Sequence, residues 1–208
     1  MSLKMIDSFR GFEIRSKDLS HWAVILEEWL LIIERFSRIR KGGDSPYGYG
    51  ERPNVGLLAG AAWRSGCIAL NEFAHQKNSE GALSKGRADL VIESPTGSDV
   101  IEAKFEWVEL GTNFASKTGQ LLNRAGKDAK RSFDSAIHTR ALGVAFSAGF
   151  ILGNQAENMR QRIIESVEGY LKIDSAFIAY CFPEPERRVR TPEGNFTPGI
   201  FMAGIEVR

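Results

Sequence analysis

Between positions 20 and 40 apolar residues recur every three or four places. Trp22, Ile25, Leu26, Trp29, Ile32, Ile33, Phe36 and Ile39 line one side, with Glu27, Glu28, Glu34, Arg35 and Arg38 opposite. That spacing predicts an amphipathic helix with Ser20 as its N-cap. GGDSPYGYGERP (42–53) reads as a turn-rich connector, and NVGLLAGAAWRS (54–65) as a small-residue helix closed by Gly66. The stretch CIALNEFAHQK is read as a first strand, because Gly66 interrupts the helical pattern, and 78–86 as a loop. The period then changes to two: RADLVIES (87–94) and VIEAKFEWVEL (100–110) are strands around a PTGSD turn (95–99). A polar helix over 115–138 follows, with Leu121, Leu122, Ala125, Ala129, Phe133 and Ile137 as its apolar side. The nearly continuous apolar run 141–152 has the pattern of a strand buried on both faces. A helix at 154–171, a buried strand at 175–182 and a possible edge strand IFMAGIEVR complete the chain.

Three strands in succession followed by helix–strand alternation predict an α/β fold, a mixed central β-sheet flanked by helices. The expected organisation is a single domain over 1–208. It has an N-terminal helical extension (1–50), a core (51–152), and a C-terminal helix and strands (153–208) that complete the sheet.

The 208 residues suffice to bury a core without staples. A formal net charge of +1 provides no global basic field, so a nucleic-acid partner needs a local basic patch. Cys67 and Cys181 stand far apart without CxxC spacing, which argues for a reducing, cytoplasmic compartment rather than a disulfide or zinc framework. No secretory signal is evident, and the apolar stretch from Trp22 to Phe36 carries Glu27, Glu28 and Glu34. A soluble protein without membrane contact is expected.

Candidate chemistry lies in the hairpin. Alternation puts Glu102, Lys104 and Glu106 on one face of their strand, and Ile101, Ala103, Phe105 and Trp107 on the other. On the preceding strand Asp89 faces away from Ala88, Leu90 and Ile92, so pairing across PTGSD brings it toward Glu102 and Lys104. Charge on an interior-type strand is costly unless it has a partner or a task. Asp89 and Glu102 are hard oxygen ligands for Mg²⁺ or Mn²⁺, with the Ala103 carbonyl as a third. Such an ion stabilises developing phosphorane charge and activates water. Lys104 would orient or activate that water, or stabilise the transition state.

GRAD89 followed by IE102AK104 resembles the core signature of the PD-(D/E)XK nuclease superfamily, over roughly residues 50–152. Ala88 replaces the name-giving proline. The resemblance implies a restriction-endonuclease-like αβββαβ core and a metal-dependent endo- or exodeoxyribonuclease, with DNA favoured over RNA as substrate. Asp89 and Glu102 would be its metal ligands and Lys104 its catalytic lysine. Relatives often add an acidic residue near the first helix. Glu72, on the first strand, is the better placed candidate, while Glu51 falls in the connector. Gln120 stands where relatives carry a polar residue near the site. A second match to the short motif, Asp128-Ala-Lys130, lies in a polar helix and reads as surface. Lys117, Arg124, Lys127, Lys130 and Arg131 make that helix basic enough to meet phosphates. His21, His75 and His138 lack metal-ligand spacing, and no phosphate-cradling GxxxxGK[ST] loop is present. The 20–40 helix offers a homodimer interface. The competing expectation is a non-catalytic subunit of the same fold, acting in nucleic-acid binding or assembly.

Overall fold

The computed structural model describes residues 8–79 and 82–207. In chain order these form strand β1 (Ser8–Ile14), helix α1 (Trp22–Arg40), helix α2 (Glu51–Arg64) and strands β2 (Ile68–Ser79), β3 (Ala82–Ser94) and β4 (Gly97–Glu109). Helix α3 (Phe114–Ser132), strand β5 (Arg140–Ile151), helix α4 (Met159–Tyr170) and strands β6 (Phe177–Pro183) and β7 (Phe196–Val207) follow. All seven strands join one sheet in the order β1-β6-β7-β5-β4-β3-β2. Only β4 and β5 run parallel, joined by the α3 crossover, and the other described pairings are antiparallel. The protein is thus an α/β fold with a mixed sheet flanked by four helices.

Each face of the sheet has its own core. On one, α1 and α2 bury Trp22, Ile25, Leu26, Trp29, Ile33 and Leu58 against Leu90, Ile92, Ile101, Ala103 and Val144. On the other, Phe114, Leu121 and Leu122 of α3 and Ile163, Val167 and Tyr170 of α4 meet Phe182 and Phe201. Trp22 stacks on Phe177 with ring centroids 4.7 Å apart, which fastens α1 to β6. The apolar side of α1 is therefore occupied by its own sheet, and the helix offers Val24 and Ile39 outward rather than the expected homodimer face.

Several elements differ from the sequence pattern. The N-terminal extension is not purely helical: SFRGFEI forms β1, an edge strand against β6, too short and too charged to show a clear period. The closing strand β7 is not an edge but lies between β5 and β6, and Ile200, Phe201, Met202 and Ala203 are fully buried. An apolar run without alternation is what a strand covered on both faces requires. The expected 78–86 loop is instead the far end of the β2–β3 hairpin, whose register reaches Ser79 opposite Ala82. Helix α2 begins at Glu51, earlier than expected, and α3 ends at Ser132, so Ile137 is exposed beyond it. The first turn of α1 starts at Trp22 with His21, not Ser20, as N-cap.

Helix α3 lies unusually low on the sheet. A Cβ on Gly143 of β5 would stand 2.3 Å from the Gly126 nitrogen and 2.5 Å from the Ala125 carbonyl carbon, so only glycine admits this approach. Gly143 is the register partner of Glu102 on β4. The close contact therefore brings the α3 side chains within short reach of the charged stripe.

Candidate functional site

The site forms where β3 parts from β4. Their last paired residues are Leu90 and Ile101, whereas β3 continues down to Ala82 paired only with β2. Face alternation fails at the same level. Leu90 and Ile92 pack beneath α1 and α2, but Ala88 joins Val91, Val100, Ala129 and Ala141 on the α3 side. Strict period two would put Ala88 with Leu90, as the sequence suggested. Opposite, Glu72 of β2 has a left-handed backbone, φ 52°, which a non-glycine residue adopts only in a local distortion of the strand.

Parting the strands strips the edge of β4 of its backbone partners, and side chains take their place. The Ala103 N–H donates to Asp89 Oδ2 at 2.7 Å. A strand residue directs its N–H and C=O to the same side, so the Ala103 carbonyl faces the opened edge too. Further along, the Phe105 amide favours the ionised form of Glu51, the first residue of α2. Helix α2 starts there because Gly50 turns the chain with φ 94°, and an acid in a first helical turn suits the helix dipole.

Glu102, Lys104 and Glu106 point to α3 as alternation predicts, and the helix answers each of them. Ser132 Oγ donates to Glu102 Oε1 at 2.5 Å, Lys104 Nζ meets Asp128 Oδ2 at 2.9 Å, and Arg124 donates to Glu106 Oε2 at 2.6 Å. The match is one of periods: two strand residues rise about 6.7 Å and four helical residues about 6 Å. Antiparallel stripes 102/104/106 and 132/128/124 therefore stay in step.

The electrostatics centre on Glu51 and Lys104. Burial raises the Glu51 carboxyl above its ordinary range, and the charges of Asp89 and Glu102 add to this, outweighing Lys104 and the Phe105 amide. Burial alone would lower Lys104, but the hydrogen bond and charge of Asp128, together with Glu51 and Asp89, hold the ammonium above the usual lysine value. Three carboxylates and one firmly charged amine thus share one field at the parted strands.

The positions expected from sequence divide accordingly. Asp89 meets the Ala103 N–H and shares a field with Lys104, while Glu102, on the same face of β4 as Lys104, is buried against Ser132. Glu72 does not join them: it stands one strand further out and makes ion pairs with Arg52 at 3.4 Å and Arg87 at 3.7 Å. Gln120 is exposed on α3, two turns before Asp128 and so about 12 Å away along the axis. The side chain of His75 lies outside the described residues. Glu51 is the first residue of α2, and what placed it in a connector was the Gly-rich run preceding it. Asp128, read as surface, is the partner of Lys104. The signal available for it was the i, i+4 stripe Arg124, Asp128, Ser132, complementary to Glu106, Lys104, Glu102.

Among the described residues no group of three or more His, Cys, Asp or Glu side chains stands arranged to hold a metal ion. Asp89 and Glu102 each have an oxygen turned to an internal donor, as given above. The donor chemistry nonetheless suits Mg²⁺, which keeps most of its waters and takes one or two carboxylates rather than a full protein cage.

No family model, curated protein or solved structure matches the chain. No helix among the described residues is long and apolar enough to cross a membrane.

Proposed function

We propose that this chain is a divalent-metal-dependent nuclease of the PD-(D/E)XK type that hydrolyses phosphodiester bonds in DNA. The observation that carries the proposal is the parting of β3 from β4 at Asp89, which seats Asp89 on the Ala103 amide with Glu51 and Lys104 in the same field. Burial and the charges of Asp89 and Glu102 raise the Glu51 carboxyl, the kind of electrostatic perturbation that clusters at functional sites. The run α2-β2-β3-β4-α3-β5 has the αβββαβ order of a restriction-endonuclease-like core.

Asp89, Glu102 and the Ala103 carbonyl would hold Mg²⁺ or Mn²⁺, with Glu51 alongside. Such an ion supplies charge stabilisation at the phosphorus and a more acidic water. Lys104, held in its charged form, stabilises the charge building on the scissile phosphate and orients the attacking water through N–H donation. Held so, it is unsuited to act as the base. The exposed Lys117, Lys127 and Lys130 on α3 support contact with a phosphate backbone.

The test is cleavage of DNA and RNA with Mg²⁺ or Mn²⁺ by the wild type, Asp89→Asn and Lys104→Ala. Each substitution is expected to lower the rate by about 10²–10³, with EDTA silencing the wild type. Equal cleavage by all three proteins would overturn the proposal and identify a contaminant.

A further inference from the structure

We infer that Asp128 is the positioning residue of Lys104, fixing where its ammonium stands beside the parted strands; this rests on the nuclease reading above. Lysine is a long flexible stem with a compact charge and no fixed direction of its own. At this site it is surrounded by carboxylates on two sides: Glu51 and Asp89 toward the opened edge, and Asp128 from α3. A cation bound among the first group would repel the ammonium, whereas Asp128 lies outside the ligand set and keeps its hold.

Asp128 is itself well placed for that task. Its Oδ2 takes Lys104 at 2.9 Å while Oδ1 meets Arg131 at 3.2 Å, so the carboxylate is braced from its own helix. The helix is in turn fixed in height by the Gly126–Gly143 contact and in register by Ser132 on Glu102 and Arg124 on Glu106. Both partners of the Lys104–Asp128 pair are about one-third exposed, with side-chain exposures of 29% and 31%. Pairs of this exposure add little to stability, so removing the carboxylate leaves the fold in place.

The experiment compares kcat and KM for linear duplex DNA with Mg²⁺ in the wild type, Asp128→Ala and Asp128→Glu, with melting followed by circular dichroism. For Asp128→Ala, kcat is expected to fall about 10- to 100-fold while KM stays level or drops, since one repelling carboxylate has left the phosphate path. Asp128→Glu, which keeps the charge, should recover a large part of kcat. Asp128→Ala cleaving within twofold of the wild type would overturn the inference and leave the nuclease reading intact. So would a loss of kcat matched by a fall in melting temperature and unrescued by glutamate. A wild type that never cleaves removes both.

Discussion

One hairpin carries two aspartates with opposite circumstances. Asp99 stands in the regular part of the ladder, opposite Ile92, and is fully buried. Arg140 Nε reaches its Oδ1 at 2.5 Å, while Trp22 Nε1 and His21 Nε2 lie 2.8 Å and 3.0 Å from its Oδ2. Three elements, α1, β4 and β5, are thereby joined through one carboxylate. Asp89 stands where the ladder ends, partly exposed, takes one backbone N–H, and shares its field with Glu51 and Lys104. A buried charge answered by partners is structural, because its removal leaves those partners unpaired. A partly exposed charge set among both signs at an open edge adds little to the fold, and such sites are where function is to be sought.

The largest effect expected from that contrast is on stability. Asp99→Ala strands Arg140 without its counter-charge and should cost about 3–5 kcal/mol in urea unfolding. Asp89→Ala loses one hydrogen bond at a partly exposed site where Glu51 repels and Lys104 attracts the carboxylate, and should cost about 1 kcal/mol or less. Comparable losses from the two variants would erase the distinction.

Glu186 sharpens it, as a buried acid away from the parted strands. Among the described residues no donor stands at full hydrogen-bond geometry to its two buried carboxylate oxygens, and the Ser37 hydroxyl offsets their burial only in part. Burial raises it to about 7, with the charge of Asp44 adding and Ser37 opposing. Because the folded value is the higher one, the native state holds this proton more tightly than the unfolded chain. Stability should therefore fall as pH rises from about 4.5 toward 7 and level off above it. Measured between pH 5 and 8, the fall should be on the order of 2 kcal/mol, and Glu186→Gln should abolish it. A profile unchanged by the substitution would refute this account.

The smallest effect concerns Glu51, whose raised carboxyl follows the same sign. Glu51→Gln removes a charge that burial, Asp89 and Glu102 disfavour. The variant should be more stable than the wild type at pH 7 by less than about 1 kcal/mol. That gain should vanish below about pH 4.5, where both states bind the proton. A variant less stable at pH 7 would show that the Phe105 amide and Lys104 outweigh burial and the two neighbouring carboxylates.

Much of the site was legible. Period two in VIEAKFEWV places Glu102, Lys104 and Glu106 together, and the structure keeps them so, facing α3. The failures lie where alternation itself fails. Ala88 was assigned the face of Leu90 because nothing in RADLVIES announces a break, yet the break arises from the parting of two strands and the distortion at Glu72. Glu51 looked like loop because the connector 42–53 holds four glycines and two prolines, although Gly50 is the residue that starts the helix there. Asp128 reads as surface because its helix is polar, yet a polar helix face can also lie across a charged stripe of the sheet.

The sequence by itself determined the periods, and with them the α/β class, the helices α1 to α4, the central strands and the side of β4 that bears charge. These are properties of a single element, carried by neighbours two to four residues apart. Only the tertiary structure decided where β3 leaves β4, how low α3 lies over Gly143, and that the start of α2 delivers Glu51 to the opened edge. Each of those depends on residues distant in the chain meeting in space, and single-element periodicity carries no record of such meetings.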